Sequence, residues 1–211
     1  MFENPYKYRL RKAFYLKDTL TVSKLLLGKF LVRKYNGSYL CGKIVETEAY
    51  LGDTDPACHA YGRVTPRNAT LFREGGIAYV YFIYGNYFCF NVVTEKEGIG
   101  AAVLIRALEP AKGAETMKLL RGRIKNEHAI TNGPAKLCLA FGIDGKHNGT
   151  DLQSKDIFIS RGPAEENFTV AVSRRIGIEK GSHFPYRFFI KDNPFVTRHK
   201  LNKEIITEIK L

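Results

Sequence analysis

The sequence predicts an α+β fold: a single mixed domain with a curved, largely antiparallel β-sheet core, flanking helices and a protruding β-hairpin. Three observations carry that prediction. Strand-like runs come in clusters with helical runs interspersed, not in the strict alternation of a doubly wound parallel sheet. The run YVYFIYGNYFCFN at 79–91 sets Gly85-Asn86 between two aromatic, β-prone arms, the pattern of a two-residue hairpin turn. A dinucleotide-binding sheet has no G-x-G-x-x-G stretch to support it.

In chain order, DTLTVSKLLLG at 18–28 places Val22, Leu25 and Leu26 at helical spacing behind Asp and Thr caps, with Gly28 as a stop. YLCGKIVETEAYL at 39–51 alternates as a strand, and after the aromatic hairpin so does AAVLIRAL at 101–108. A second helical pattern, AKGAETMKLLRGRI, follows Pro110. Gly133-Pro134 opens a third, carrying Leu137, Leu139 and Phe141, because proline is well tolerated in a first turn. DIFIS at 156–160 and YRFFI at 186–190 read as the last strands, separated by a basic loop with Arg174, Arg175 and Lys180. The lysine-rich end, 198–211, reads as a loosely held basic tail. No repeat, low-complexity tract or linker divides the chain, so residues 1–211 are expected to form one domain.

The chain has 211 residues, 45% hydrophobic and 26% charged, enough for an adequate core. Lys and Arg outnumber Asp and Glu by 33 to 21, a net charge of +12 that favours a polyanionic partner, although a solvated basic surface is equally compatible with charge alone. Cys41, Cys58, Cys89 and Cys138 have neither C-x-x-C spacing nor a paired framework, so zinc, iron–sulfur and disulfide-rich secreted folds are poorly supported and buried thiols are expected. The start, MFENPYKYRLRK, lacks an apolar core of a signal peptide, and no run approaches the roughly 18 apolar residues of a membrane span. A cytoplasmic protein is expected, associated with the nucleoid if bacterial.

Seven aromatic side chains crowd into 79–91, and cross-strand packing accounts for most of them. A large ring beside the turn points away from the core, however, which makes Tyr84 a candidate wedge for a base stack. Tyr81, farther down the strand, suits a stacking platform. With a two-residue turn Asn91 pairs with Val80 and faces away from Tyr81; the two share a pocket only if a bulge or longer turn intervenes.

In IVETEAYLGDTDPACHA, 44–60, a strand puts Glu46, Glu48 and Tyr50 on one face and Val45, Thr47 and Ala49 on the other. Mutual repulsion of the carboxylates is expected to raise at least one proton affinity, which suits acid/base work. An exposed face of solvated acids competes with that reading. Against it stand the oddity of an acidic face on a basic protein and the nearby His59. Cys58-His59 is no zinc spacing, and Asp53 and Asp55 read as turn residues around Gly52 and Pro56. Arg63 and Arg67 in GRVTPRN sit on a turn-prone loop suited to phosphate contacts.

Together IVETEAYLG, the downstream His59, TPRN, YVYFIYGNYFCFN and LIRALEP resemble the alkyladenine family of 3-methyladenine DNA glycosylases, in order over nearly the whole chain. The resemblance implies a monofunctional, metal-free enzyme that flips damaged purines out of double-stranded DNA and hydrolyses the N-glycosidic bond; no cofactor and a monomer are expected. It implies Glu48 as general base, Tyr50, His59 and Tyr81 around the flipped base, and Tyr84 as the intercalating wedge. Asn91 matches the side chain that crowds out the amino group of guanine, and Arg67 and Arg106 match residues near the active site or DNA backbone. Asn86 stands where relatives often carry an apolar residue, and Ala102 lies among variable pocket positions. The range over 3-methyladenine, hypoxanthine and ethenoadenine is therefore open. Rival readings are a non-catalytic nucleic-acid module and a carbohydrate glycosidase using Glu46 and Glu48, the latter opposed by the basic charge. A helix-hairpin-helix reading of TNGPAKL lacks a paired hairpin.

Overall fold

Alternation along a strand decides which side chains enter a core and which stay free for chemistry, and this chain uses both faces of its sheet. The computed structural model describes residues 5–83, 85, 87–124, 126–162 and 167–211. They form α1 (Lys12–Tyr15), α2 (Thr19–Leu25), β1 (Phe30–Tyr35), β2 (Ser38–Leu51), β3 (Ala78–Phe82), β4 (Phe88–Thr94), β5 (Ala101–Lys112), α3 (Ala114–Arg121), α4 (Pro134–Ala140), β6 (Ile157–Ser160), β7 (Thr169–Ser173), β8 (Arg187–Ile190) and β9 (Thr207–Lys210). The strands join in one sheet of order β3-β4-β5-β2-β8-β7-β9, with β1 pairing β2 and β6 off that path. Every pairing among the described residues is antiparallel, as the α+β prediction requires.

β2 is the centre of this arrangement. One of its edges runs along β5, while the other is shared, β1 taking Ser38–Lys43 and β8 taking Glu46–Glu48. Val45 and Ala49 of β2, Val103 and Ile105 of β5, and Val80, Phe90 and Val92 of the hairpin bury one face in the main hydrophobic cluster. Residues of α2 and α4, Val22, Leu137 and Cys138 among them, belong to the same cluster. Asp18 caps α2 by accepting the Thr21 N–H. Thr47, the polar residue on this face, is satisfied by donating to the Ser23 carbonyl at 2.9 Å. The opposite face keeps Glu46, Glu48, Tyr50, Tyr79, Tyr81, Asn91 and Arg106.

The hairpin register differs from the expected one. Tyr79 pairs with Asn91, Tyr81 with Cys89 and Phe82 with Phe88, and the Ile83 N–H reaches the Tyr87 carbonyl at 2.9 Å. Three residues, 84–86, therefore join the strands, not two. Gly85 holds a left-handed φ of 60°, while Tyr84 and Asn86 lie outside the described residues. The extra residue puts Asn91 on the same face as Tyr81.

The end of the chain also corrects the sequence reading. β9 pairs with β7 from Thr169↔Lys210 to Val172↔Thr207, and Leu201 is buried. The Asn202 side-chain oxygen Oδ1 accepts from Arg187 Nη2 at 2.8 Å, so residues 198–211 are docked, not a loose tail. β1, β7 and α1 were not legible either; β7 (TVAVS) is five residues long and merges into the basic loop that begins at Arg174. All four cysteines are buried thiols, and no helix among the described residues is long and apolar enough to cross a membrane.

Asn202→Ala tests the docking. It leaves a buried guanidinium donor without its acceptor and is expected to cost about 1–3 kcal/mol, read as a lower urea midpoint at unchanged slope. A loose tail would leave the midpoint where it is.

Candidate active site

The site begins with an irregularity in the β2–β5 ladder. Ile44 pairs with Leu108, Glu46 with Ala107 and Thr47 with Ile105, so the register slips at Val45 and recovers at Arg106. A bulge of this kind re-aims a side chain. Here it sends Arg106 between the two carboxylates, with Nε 3.3 Å from Glu46 Oε1 and Nη1 3.2 Å from Glu48 Oε2. Arg187 of β8, opposite Glu48 in register, reaches back to Glu46 Oε1 at 2.7 Å. The result is a buried row of alternating charge: Arg187, Glu46, Arg106, Glu48.

This row overturns the expected effect of carboxylate repulsion at Glu46. Burial alone raises the Glu46 proton affinity, but the guanidiniums of Arg106 and Arg187 and the Thr197 N–H at 2.9 Å together hold it below the ordinary value. Arg106 loses to burial and gains more from Glu48 and Glu46, so it is pinned in its charged form. Glu48, with no solvent exposure, accepts three hydrogen bonds. Oε1 takes the Ile176 N–H at 2.7 Å, and Oε2 takes Arg106 and, at 2.8 Å, the Tyr50 hydroxyl. Burial, then the neighbouring Glu48, pushes the Tyr50 phenol well above its usual range, so it stays a donor.

Tyr50 joins this row to a cavity of about 240 Å³ lined by His59, Tyr79, Tyr81, Asn91 and Ala102 together with Tyr50 itself. Tyr79 and Tyr81 stack at 5.3 Å between centroids, and His59 meets Tyr81 edge-on at 4.5 Å. His59 Nδ1 lies 3.0 Å from the Tyr79 hydroxyl. Burial, and then the Arg67 guanidinium, lower the imidazole below its usual 6.5, which keeps it neutral at neutral pH. Burial pushes the Tyr79 phenol up to about 12. Asn91 is fixed by donating to the Tyr79 carbonyl at 3.1 Å. The walls are thus largely aromatic, with the Arg67 guanidinium also in the lining and the buried charged row behind Tyr50.

Most predicted residues converge here. Glu48, Tyr50, His59, Tyr81, Asn91 and Arg106 meet on one face; Arg106, buried between carboxylates, supports the active site and touches no open surface fit for a DNA backbone. Arg63 and Arg67 are exposed at the rim, on a loop tied together by Asn68, whose side chain donates to the His59 and Arg63 carbonyls at 2.7 and 2.9 Å. Tyr84 lies outside the described residues. Asp55 is a turn residue as expected, its carbonyl accepting the Cys58 N–H at 2.8 Å, and its side chain is in addition buried in a bidentate pair with Arg175. Tyr79, Asn68, Arg175 and Arg187 went unrecognised; an arginine inside the apolar run YRFFI is the one signal that pointed to Arg187. Among the described residues, no three His, Cys, Asp or Glu side chains converge as a metal site requires.

An open-mouthed aromatic cleft backed by a buried, multiply hydrogen-bonded carboxylate, on a chain this basic, suits a hydrolase that removes bases from nucleic acid. Comparison with known proteins makes that specific. Residues 13–194 match the model of the methylpurine-DNA glycosylase (MPG) family, and the chain belongs to that family. It is 50% identical over 190 residues to a protein of Carboxydothermus hydrogenoformans, covering 90% of this chain and 98% of that one. Relatives in Clostridium botulinum (49% over 201 residues; 90% and 98% covered) and Francisella tularensis (49% over 183; 85% and 94%) are comparable. The names of all three contain the words 3-methyladenine DNA glycosylase. The chain is therefore a DNA glycosylase, which sets aside both the non-catalytic module and the carbohydrate glycosidase.

Glu46→Gln removes one anion from the buried row and is expected to cost roughly 3–5 kcal/mol at neutral pH. Because folding depresses the Glu46 pKa, its contribution is fully present above the unfolded value near 4.5 and is lost as pH falls through the folded one. Urea midpoints of wild type and variant should therefore converge in that acid window; a constant gap would contradict the assignment.

Proposed function

We propose that this enzyme excises 3-methyladenine, and also hypoxanthine and ethenoadenine, from duplex DNA with Glu48 as the general base, leaving an abasic site. The observation that carries the reading is the position of Glu48: fully buried, its two oxygens fixed by Ile176, Arg106 and Tyr50, one hydrogen bond behind the aromatic cleft. Cleavage of an N-glycosidic bond passes through an oxocarbenium-like state, which a fixed carboxylate stabilises while it takes a proton from the attacking water. Arg106 orients that carboxylate and balances its charge.

The cleft supplies selectivity. Flipping a nucleotide costs a few kcal/mol, and stacking on an aromatic ring returns about 1–3 kcal/mol per base. Tyr50, His59 and Tyr81 are the stacking partners in this reading. The π-rich faces of Tyr50, Tyr79 and Tyr81 favour an electron-poor or cationic purine, which is also the better leaving group. Asn91, held by the Tyr79 carbonyl, is the residue that would crowd an exocyclic amino group at C2. Tyr84 takes the part of the wedge that holds the duplex open. Arg63 and Arg67 at the rim serve phosphates. A second groove of about 380 Å³ lined by Arg121, Arg123, Lys136 and Arg198, with no acidic residue in its lining, extends the basic surface available to the backbone.

The deciding experiment follows release of free 3-methyladenine from methylated duplex DNA, and excision from oligonucleotides bearing hypoxanthine or ethenoadenine. Glu48→Gln should lower excision by about 10²–10⁴-fold while DNA binding persists. Excision at the wild-type rate by that variant would remove Glu48 from the role. Tyr84→Ala should slow excision from a paired lesion more than from an unpaired one, and equal rates on both would count against the wedge.

A further inference from the structure

Tyr50 is asked to do two things at once: its hydroxyl holds Glu48 Oε2, and its ring walls the cleft. It stands at the end of β2, one residue before the strand gives way to the Gly52–Thr54 turn, where sheet pairing constrains a ring least. What fixes it is a guanidinium. Arg175 lies over the Tyr50 ring with Cζ 4.6 Å from the centroid, and over the Tyr186 ring at 5.3 Å. Arg175 is itself held by the fork of Asp55, Nη2 to Oδ1 at 2.8 Å and Nη1 to Oδ2, and donates Nη1 to the Ala49 carbonyl at 2.8 Å. Asp55 accepts the Ala57 N–H at 3.1 Å and the Leu51 N–H at 3.3 Å, so the pair is anchored on both sides of Tyr50.

From this geometry we infer that Arg175, oriented by Asp55, is a positioning residue that sets Tyr50 against Glu48. The inference rests on the Glu48 reading above. Three features separate it from a merely structural ion pair. Both members are buried, Arg175 at 2% and Asp55 at 1% exposure, and such pairs are weak sources of stability. Among the described residues Arg175 Nε has no hydrogen-bond partner, so the guanidinium is aligned for its two rings and its fork at the expense of a donor. The next residue, Ile176, donates its N–H to the other oxygen of Glu48, so the segment that aligns Tyr50 also aligns the carboxylate it serves. The space is closed around the pair: a Cβ at Gly181, φ +60°, would lie 3.2 Å from both Arg175 Nη2 and Asp55 Oδ1. Lysine cannot substitute, having neither plane nor fork.

The test is a double-mutant cycle on single-turnover excision from a lesion-bearing duplex, using Arg175→Lys and Tyr50→Phe, with the duplex Kd and the thermal midpoint measured for each. Arg175→Lys should slow excision by about 10–100-fold while Kd moves less than about threefold, because it misplaces groups near the chemistry without removing contacts to DNA. In the Tyr50→Phe background, which already lacks the hydroxyl, the same change should cost less than about threefold. An equal factor in both backgrounds, or an unchanged rate, overturns the inference. If Arg175→Lys does not fold by circular dichroism, Asp55→Asn, isosteric and leaving Arg175 in place, carries the cycle with the same outcomes. Glu48→Gln is run beside it: full excision by that variant removes the Glu48 reading and this inference with it, whereas an inactive Glu48→Gln with an additive cycle removes only the role of Arg175.

Discussion

Everything in this protein depends on one cation placed between two acids. Alternate residues of a strand stand about 7 Å apart on the same face, and two carboxylates at that separation, taken out of water, are tolerable only with compensating charge. Arg106 supplies it, and can do so because β5 carries a bulge at that position. With Arg187 on the far side of Glu46, the row is neutral in sum and its members are fixed in direction. The sheet is thereby free to do two jobs: its apolar face closes the core, and its polar face is held rigid without losing its charge.

The aromatic cleft depends on a different constraint, the parity of a hairpin. A sheet distributes side chains by counting, and one residue more or less in the connection exchanges the two faces of a strand. With three residues between Ile83 and Tyr87, Tyr79, Tyr81 and Asn91 fall on the face that carries Glu48. With two, Asn91 would be turned into the core and the cleft would lose a wall. Gly85 in its left-handed conformation is the local permit for this longer connection.

What could be read in the sequence was what is local. The alternation of IVETEAY set Glu46, Glu48 and Tyr50 on one face and Val45 and Ala49 on the other, and the structure agrees. The helices at Thr19 and Pro134 announced themselves by caps and by spacing. The hairpin was visible but its register was not, because Gly-Asn is a turn signal that fits either loop length. What stayed hidden was long in sequence and short in space: Glu46 with Arg187, 141 residues away, and Asp55 with Arg175, 120 away. No periodicity predicts which arginine a buried acid will choose. The turn at Asp55 was legible and its ion pair was not, since Asp before Pro is an ordinary turn pattern until its partner is known.

The docked C-terminal segment has a consequence in time. Glu46 and Glu48 are made early and the residues that neutralise and orient their neighbourhood are made late: Arg187, Thr197, which donates its N–H to Glu46, and Asn202, which receives Arg187. Until these residues are made, Glu46 has only Arg106 of its two cationic partners. The row is therefore balanced and fixed in direction only once the segment through Asn202 has been made.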